Sequence, residues 1–587
     1  MLVDEEALAK QLEAHPELCA IFEHERALRE REHAQLVSRI AELEAERDRL
    51  RASHERLRQE LELFKRRLFV AKAERIDTRQ LELEYAQKLR ELDHLAGTLG
   101  LGKEPAVEED HDASTASDGK RRGKRKGNRG TGRRDLRELP LEEERIEIPD
   151  PHLETLVAEG KVLRHGFEET CKIGHKRGGK RRIVIARVRY KTVDAVGNAD
   201  VITTAMPDQL YPGAIATPSL VAHVIMENIG KGMPLFRIED SCARDGIPID
   251  RGSLSRWKKT AGDRLGETVV AAMRKHALAT AFCIATDATG VCVQPIPNDR
   301  SRQPCKKGHF LVQVADRDHI LFDYLERETS AAVYTRFNGF SGYVQADAKS
   351  VFDLLFADEA ALKKSKHDVE HDGADRTEVG CWYHARRRFW EGAVAKNTVA
   401  REGLIRISRI FELDASWKKK PPSDIKQLRD THLRPHVDAF FAWVEQQRPA
   451  FRDQRGLVRT ALEYAHNHAQ ALCRFFDDGR LVLSNNWAER AIKPVATGRK
   501  AWLFCGSDDH AKSTATLFSL VGSARLHGIE PEEYLRCLIR LVPLWPPEQM
   551  LELSPLFWNR TRERLDPVAL ASEALPIPVP ALPLDTS

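Results

Sequence analysis

Apolar residues along the first part of the chain recur at alternating three- and four-residue steps: Leu36, Ile40, Leu43, Leu50, Leu57, Leu61, Phe64 and Leu68, with Arg47 and His54 at the intervening seam positions. This is the heptad pattern of a coiled coil, in which polar seam residues weaken packing but set register. Residues 1–101 are therefore expected to be helical and to self-associate through this seam; one long helix folded back onto the protein is the alternative. Periodicity then stops. Residues 102–138 pass from acidic (Glu108, Glu109, Asp110, Asp112) to basic (Lys120, Arg121, Arg122, Lys124, Arg125, Lys126), interspersed with Gly and Ser. Such a stretch buries too little apolar area to offset its chain entropy, so a disordered linker is expected. Its basic end would either contact phosphates nonspecifically or serve as a solvated tether.

Residues 139–206 read as a basic β-rich module, with Ile183, Val184, Ile185, Val188 and Tyr190 set among Arg181, Arg182, Arg187, Arg189 and Lys191. Residues 207–275 read as helical. Thr217-Pro218 is an N-cap and first-turn signal, a helix is expected over 234–244, the turn Asp245-Gly246-Ile247-Pro248 follows, and a basic helix begins near Arg251 with Arg256, Trp257, Lys258 and Lys259. That order is compatible with a helix-turn-helix and equally with an ordinary helical hairpin.

From 276 to 505 the pattern alternates. Strands are expected at Ala281–Ala285 (closing at Asp287), Phe310–Ala315, His319–Tyr324, Gly342–Asp347 and Val379–Trp382. Helices are expected at Thr329–Phe337, from Val351, and from about His384. Three strands, then helix, strand, helix, strand and helix is the order of an α/β ribonuclease-H-like core, here with a helical insertion over about 397–480. Residues 506–555 read as helical, and 556–587 as a Pro-rich tail expected to be disordered near its end.

Composition narrows the function classes. At about 100–200 residues per domain, 587 residues make three or four units, and 42% apolar content is enough for cores. Net charge is only +4, so basic clusters rather than the total point towards nucleic acid. The ten cysteines are scattered without a C-x-x-C pair, which argues against a disulfide framework and a simple zinc finger. No apolar run approaches the roughly 18 residues of a membrane span, and the acidic N-terminus lacks a signal-peptide layout, so no membrane partner and a cytoplasmic location are expected.

Three carboxylates stand out by position: Asp287 at the first strand, Asp347 at the fourth, and Glu489 in the first turns of a helix that Asn485 or Asn486 would cap. In the expected sheet the first and fourth strands are neighbours, so the two aspartates would lie side by side and need a cation or a shared proton. Mg2+ or Mn2+ suits an all-oxygen site, and a pair of ions could activate a water or 3′-hydroxyl. Singly, each carboxylate is an ordinary turn, cap or helix-dipole residue. Basic groups flank them: His384, Arg386 and Arg387 on one helix, Arg490, Lys493, Arg499 and Lys500 on another, with Trp502 and Phe504 nearby. Together with Arg256, Lys258 and Lys259 these are the candidate DNA contacts; a solvated basic face over a Trp-Phe core is the alternative.

Several motifs together resemble those of IS66-type transposases: Asp287-Ala288-Thr289, Cys381-Trp382-Tyr383-His384-Ala385-Arg386-Arg387, Asn485-Asn486-Trp487-Ala488-Glu489-Arg490-Ala491-Ile492-Lys493-Pro494, Gly498-Arg499-Lys500-Ala501-Trp502-Leu503-Phe504 and Pro234-Leu235-Phe236-Arg237. The resemblance runs from about Pro207 to Leu541. It implies a DDE transposase with Asp287, Asp347 and Glu489 as catalytic, metal-holding triad, acting on the inverted-repeat ends of its own element and on target DNA. It also implies homo-oligomers and companion element-encoded proteins as partners. A catalytically silent DNA-binding regulator or a ribonuclease-H-like nuclease is the alternative. Two departures matter. The paired cysteines of the family's zinc-binding region are missing, leaving Cys171 with His165 and His175, so no zinc is expected; and the second motif, usually D-G-Y, reads Asp347-Ala348-Lys349.

Overall fold

A computed structural model describes residues 24, 27–50, 53 and 136–586, apart from 177, 194–198, 248, 295–304, 365–368, 396 and 453–455. The chain divides into two compact units, Met1–Gly127 and Asn128–Ser587. In the first, residues 27–50 are helical. Leu36, Ile40 and Leu43 are 62%, 55% and 50% exposed, so among the described residues their stripe stands uncovered. Seam positions 54, 57, 61, 64 and 68, and residues 102–135 of the expected linker, lie outside the described residues.

The second unit begins with a four-stranded sheet: β1 (Glu143–Ile148), β2 (Val162–Lys176), β3 (Gly179–Val193) and β4 (Ala199–Thr203). β3 is central. β2 runs antiparallel along one edge, while β1 (parallel) and β4 (antiparallel) pair successive stretches of it. The basic face expected for β3 exists but is largely neutralised. Arg181 pairs with Glu142 at 3.1 Å, Arg182 with Glu143 at 2.8 Å, and Arg187 with Glu168. The acidic partners come from β1, its approach and β2, a tertiary pairing invisible in β3 alone.

Helices Pro218–Ile225, Leu235–Arg244, Arg251–Leu265 and Ala271–Thr280 follow. Then comes a five-stranded sheet of β5 (Cys283–Val293), β6 (Lys306–Ala315), β7 (His319–Leu325), β8 (Gly342–Gln345) and β9 (Arg376–Val379), in spatial order β7-β6-β5-β8-β9. β5, β6 and β7 form an antiparallel meander; β8 and β9 add to β5 in parallel. The first and fourth strands of this sheet are thus neighbours. β7 is an edge strand, and the helix Asp508–Leu526 covers it: Ser523 Oγ accepts from Ile320 N at 2.9 Å and Ser519 Oγ from Phe322 N at 2.7 Å. Backbone donors that would otherwise be open to another strand are satisfied in this way.

The helices between Thr398 and Cys473 build a separate core with Ile407, Ile410, Val437, Phe440 and Val444. Trp382, Ala385 and Phe389 of the helix Trp382–Val394 belong to that core, spaced three and four residues apart as one helical face requires.

Several element boundaries differ from expectation. β5 continues to Val293, so Asp287 lies mid-strand and does not close it. The fifth strand ends at Val379, and Trp382 opens a helix with its ring fully buried. Residues Ser350–Phe356 form tight 3₁₀ turns and not a full helix. The Pro-rich tail packs. Carbonyls at and just beyond the C-terminal end of the helix Pro567–Ala571 have no partner along the helix, and two buried arginines supply one. Arg540 donates to Ala569 O and Leu575 O, both at 2.6 Å, and Arg536 to Leu570 O at 2.7 Å and Ser572 O at 3.1 Å. Ala574 and Ile577 are buried beside them.

Candidate active site

Parallel register puts Asp287 and Asp347 together. The last β5–β8 couple is Ala285 with Gln345, and each aspartate lies two residues beyond it. Adjacent strands are about 4.8 Å apart, and a two-residue step returns the side chain to the same face. The opposite face of β5 carries Thr286, fully buried, with Oγ1 donating to Val312 O at 2.8 Å.

The third carboxylate arrives on the helix Asn486–Trp502, which is pinned along β5. Fully buried Asn485 donates through Nδ2 to Thr286 O at 2.7 Å, next to Asp287, and its own N–H bonds Cys381 Sγ at 3.2 Å. Asn485 therefore makes no side-chain cap; its amide satisfies a strand carbonyl where the β5–β8 ladder has run out. Farther along the helix, Arg499 donates to Thr289 Oγ1 at 2.8 Å and to Gly290 O. Beyond its end, Cys505 N donates to Cys292 O at 2.8 Å.

Lys349 and His384 lie among the carboxylates. Lys349 Nζ is 3.4 Å from Asp287 Oδ1 and 3.9 Å from Asp347 Oδ2. His384 Nε2 is 3.7 Å from Asp347 Oδ2 and 4.0 Å from Glu489 Oε1. Lys349 thus links Asp287 to Asp347, and His384 links Asp347 to Glu489. Burial pushes the Glu489 carboxyl above its ordinary value; His384 pulls it down, and the like charges of Asp287 and Asp347 push it further up. Such a cluster calls for added positive charge, and its carboxylate oxygens are the donor set that hard divalent cations prefer. Cys381 lies beside His384 and Glu489. Burial pushes its thiol up to about 11, and its sulfur accepts the Asn485 N–H.

Lys349 and His384 were not read as members of this centre from the sequence. From sequence His384 is a phosphate contact, a proton-transfer group or a structural hydrogen-bonding residue, and Lys349 only a motif departure. The signal available was the Lys two residues after Asp347, which returns to the same side of an extended chain.

The expected DNA contacts separate into groups. Arg387, Arg490 and Lys493 are exposed on the two helices that carry His384 and Glu489; Arg386 is half-buried and Lys500 exposed. Arg499 is occupied by the β5 carbonyl and hydroxyl just described. Arg256 is exposed and donates to Ser253 Oγ at 2.8 Å, and Lys259 pairs with Asp263. Lys258 is a correction: its ammonium turns inward to Asn228 Oδ1 at 3.0 Å and Thr514 Oγ1 at 3.2 Å, and burial lowers its pKa, so it is not presented to a phosphate. The basic helix Arg251–Leu265 is packed along one face against Asp508–Leu526. A Cβ on Gly262 would come within 2.5 Å of Ser513 Cβ, so that face is not free to enter a DNA groove. Phe504 is 40% exposed, whereas Trp502 is half-buried.

The family model described as "Transposase IS66 family" matches residues 213–513, just over half the chain and the segment that carries all three carboxylates. The chain belongs to the IS66 transposase family. Three similar proteins come from Sinorhizobium fredii (strain NBRC 101917 / NGR234), each 24% identical and each described as uncharacterized. They are y4qI (62% of this chain, 66% of that protein), y4hP (72% and 76%) and y4jD (57% and 64%). The match to y4qI thus spans just under two thirds of its length. No solved structure matches. Membership in an IS66 transposase family carries a general expectation of divalent-metal use, and Cys381, His384 and Glu489 offer ligand atoms within 4.8 Å of one another. Among the described residues no helix is long and apolar enough to cross a membrane.

Proposed function

We propose that this IS66-family chain is a DDE transposase that cuts and joins DNA at the ends of its own element, with a ribonuclease-H-like core. The reading rests on one observation: Asp287, Asp347 and Glu489, far apart in sequence, meet around Lys349 and His384. The β7-β6-β5-β8-β9 order supports the fold reading.

Asp287, Asp347 and Glu489 would hold a pair of Mg2+ or Mn2+ ions. When bound, such ions supply activation of a water or 3′-hydroxyl and charge stabilisation at the leaving oxygen. The protein's part is placement. β5 and β8 fix the aspartates through sheet register, and Asn485 fixes the start of the Glu489 helix. His384 holds a ring nitrogen between Asp347 and Glu489, which steadies the two carboxylates against each other. Arg387, Arg490 and Lys493 stand exposed nearby to receive DNA phosphates. The uncovered Leu36, Ile40 and Leu43 stripe fits a homo-oligomer, which would bring two sites to two DNA ends.

Asp287→Asn tests the reading. It should abolish Mn2+-dependent cleavage of DNA carrying the element's ends while leaving DNA retention in a mobility-shift assay intact. Normal cleavage by this variant would refute the triad. One observation favours a second reading, a catalytically silent DNA-binding relative: the Lys349 ammonium sits where a cation would, between the two aspartates. Absence of cleavage by the unmodified chain across a full Mn2+ titration would select it.

A further inference from the structure

A second cluster of metal-ligating side chains lies outside the DDE centre, on three elements that are distant in sequence. His175 is the penultimate residue of β2, His223 lies on the helix Pro218–Ile225, and Glu532 occupies the first turn of the helix Pro531–Leu541. The two imidazoles stack face to face, centroids 3.6 Å apart and planes within 16°. Both present Nδ1 to one oxygen, Glu532 Oε1, at 3.2 Å from His175 and 3.1 Å from His223. All three potential ligand atoms lie within 4.8 Å of one another.

We propose that His175, His223 and Glu532 bind a zinc-type divalent ion that clips the β-rich module and the C-terminal helices to the family-matching body of the protein. Zn–N and Zn–O bonds of about 2.0–2.2 Å at tetrahedral angles separate neighbouring ligand atoms by about 3.4 Å. The observed nitrogen-to-oxygen separations are within a few tenths of an ångström of that, but an ion lies in the plane of each imidazole it binds, so the stacked rings, 3.6 Å apart, would have to swing apart to about 5 Å between centroids to admit one. The donor set, two imidazoles and one carboxylate, is of the type that holds zinc with water in the remaining position. The side chains retain 19%, 20% and 29% exposure, enough for an ion and its water to enter.

The scaffold holds the ligands in place before any ion binds. His175 N donates to Ser219 Oγ at 2.9 Å, one turn before His223 on the same helix, and Ile173 exchanges backbone bonds with Ile215 and Thr217. Burial opposes ionisation of Glu532, but the hydrogen bonds and charges of the two histidines outweigh it and hold the carboxyl down to about 2, so the ligand is ionised at neutral pH. On binding, each imidazole gives up its Nδ1 proton, either by tautomeric shift to Nε2 or, if protonated, by release to solvent. Cysteines have no part in this arrangement, which is why the missing cysteine pairs do not exclude it.

The test is zinc content and spectroscopy on the full chain. After chelation and re-addition of Zn2+ with removal of excess, one equivalent should remain by elemental analysis, and Co2+ in its place should give visible d–d absorption of a low-coordinate nitrogen–oxygen site. Glu532→Gln and His223→Ala should each abolish this equivalent, and Zn2+ should raise the melting temperature of the parent chain but not of Glu532→Gln. His384→Ala should retain it, which separates this site from the Cys381–His384–Glu489 cluster. If His223→Ala does not fold, Glu532→Gln decides. Failure to retain an equivalent, retention in Glu532→Gln, or loss in His384→Ala alone would each overturn the proposal. None of these outcomes depends on cleavage activity.

Discussion

Replacing Asn485 by alanine removes the side chain that ties the N-terminal end of the helix bearing Glu489 to the strand bearing Asp287, without touching a carboxylate. Asn485 is fully buried, and its Nδ2 is 2.7 Å from Thr286 O. Truncation strands that carbonyl away from water, which costs about 1–3 kcal/mol. The cost should appear as a lowered unfolding midpoint. The helix keeps its downstream ties, Arg499 to Thr289 and Cys505 to Cys292, so its N-terminal turns shift while its far end stays. A displacement of the order of 1 Å at a reacting centre lowers rate by about 100-fold. The expected result is a 10- to 100-fold slower cleavage of end-bearing DNA, with DNA retention unchanged because Arg387, Arg490 and Lys493 remain. Single-turnover cleavage in saturating Mn2+, alongside chemical denaturation, measures both effects. If Asn485→Ala loses stability but cleaves at the parent rate, the Asn485 anchor does not position Glu489, and the reasoning from register to active geometry fails.

Other outcomes follow from the same structure. Lys349→Ala should lower the half-saturating Mn2+ concentration for cleavage, because a competing ammonium leaves Asp287 and Asp347; the pair is part-exposed, so a change of no more than about fivefold is expected, and an unchanged titration curve would count against a cation site there. Gly262→Ala should destabilise by about 1–3 kcal/mol, since the new Cβ would meet Ser513 backbone at 2.6 Å, and an unaltered melting temperature would show that the two helices can separate freely. His319 is fully buried, and burial, with the neighbouring His276 and His527, holds its pKa down to about 3. Its folded value lies below the unfolded one of 6.5, so the unfolded chain binds the extra proton. Its contribution is complete above pH 6.5 and declines as pH falls towards 3, by about 1.4 kcal/mol per pH unit. His319→Gln should flatten the fall in melting temperature between pH 6.5 and 5; an identical pH profile would contradict it.

Much of this protein was readable from local pattern. Short apolar runs bounded by polar residues located the strands around Ala285, Val312, Phe322 and Val344, as strands buried on both faces require, and a cap signal placed the helix carrying Glu489. The motifs around Asp287, Trp382 and Glu489 carried the family resemblance that the family match bears out. Charge partnership was another matter. Arg187 and Lys258 read as basic surface, yet one faces Glu168 and the other Thr514, from segments that no window along the chain contains. Asp287 read as a strand end because the apolar run Ala281–Ala285 stops just before it, but pairing with β6 carries the strand on to Val293. The tail read as disordered because proline denies it regular structure, whereas Arg540 bonds the Leu575 carbonyl at its start and Arg536 that of Leu570 in the helix before it. Amino-acid order thus determined the elements and the family, through interactions a few residues long. Tertiary packing alone decided which charges meet, gathering Lys349 and His384 among three carboxylates and Glu532 between two histidines, since Coulomb and hydrogen-bond energies depend on distance in space and not on separation along the chain.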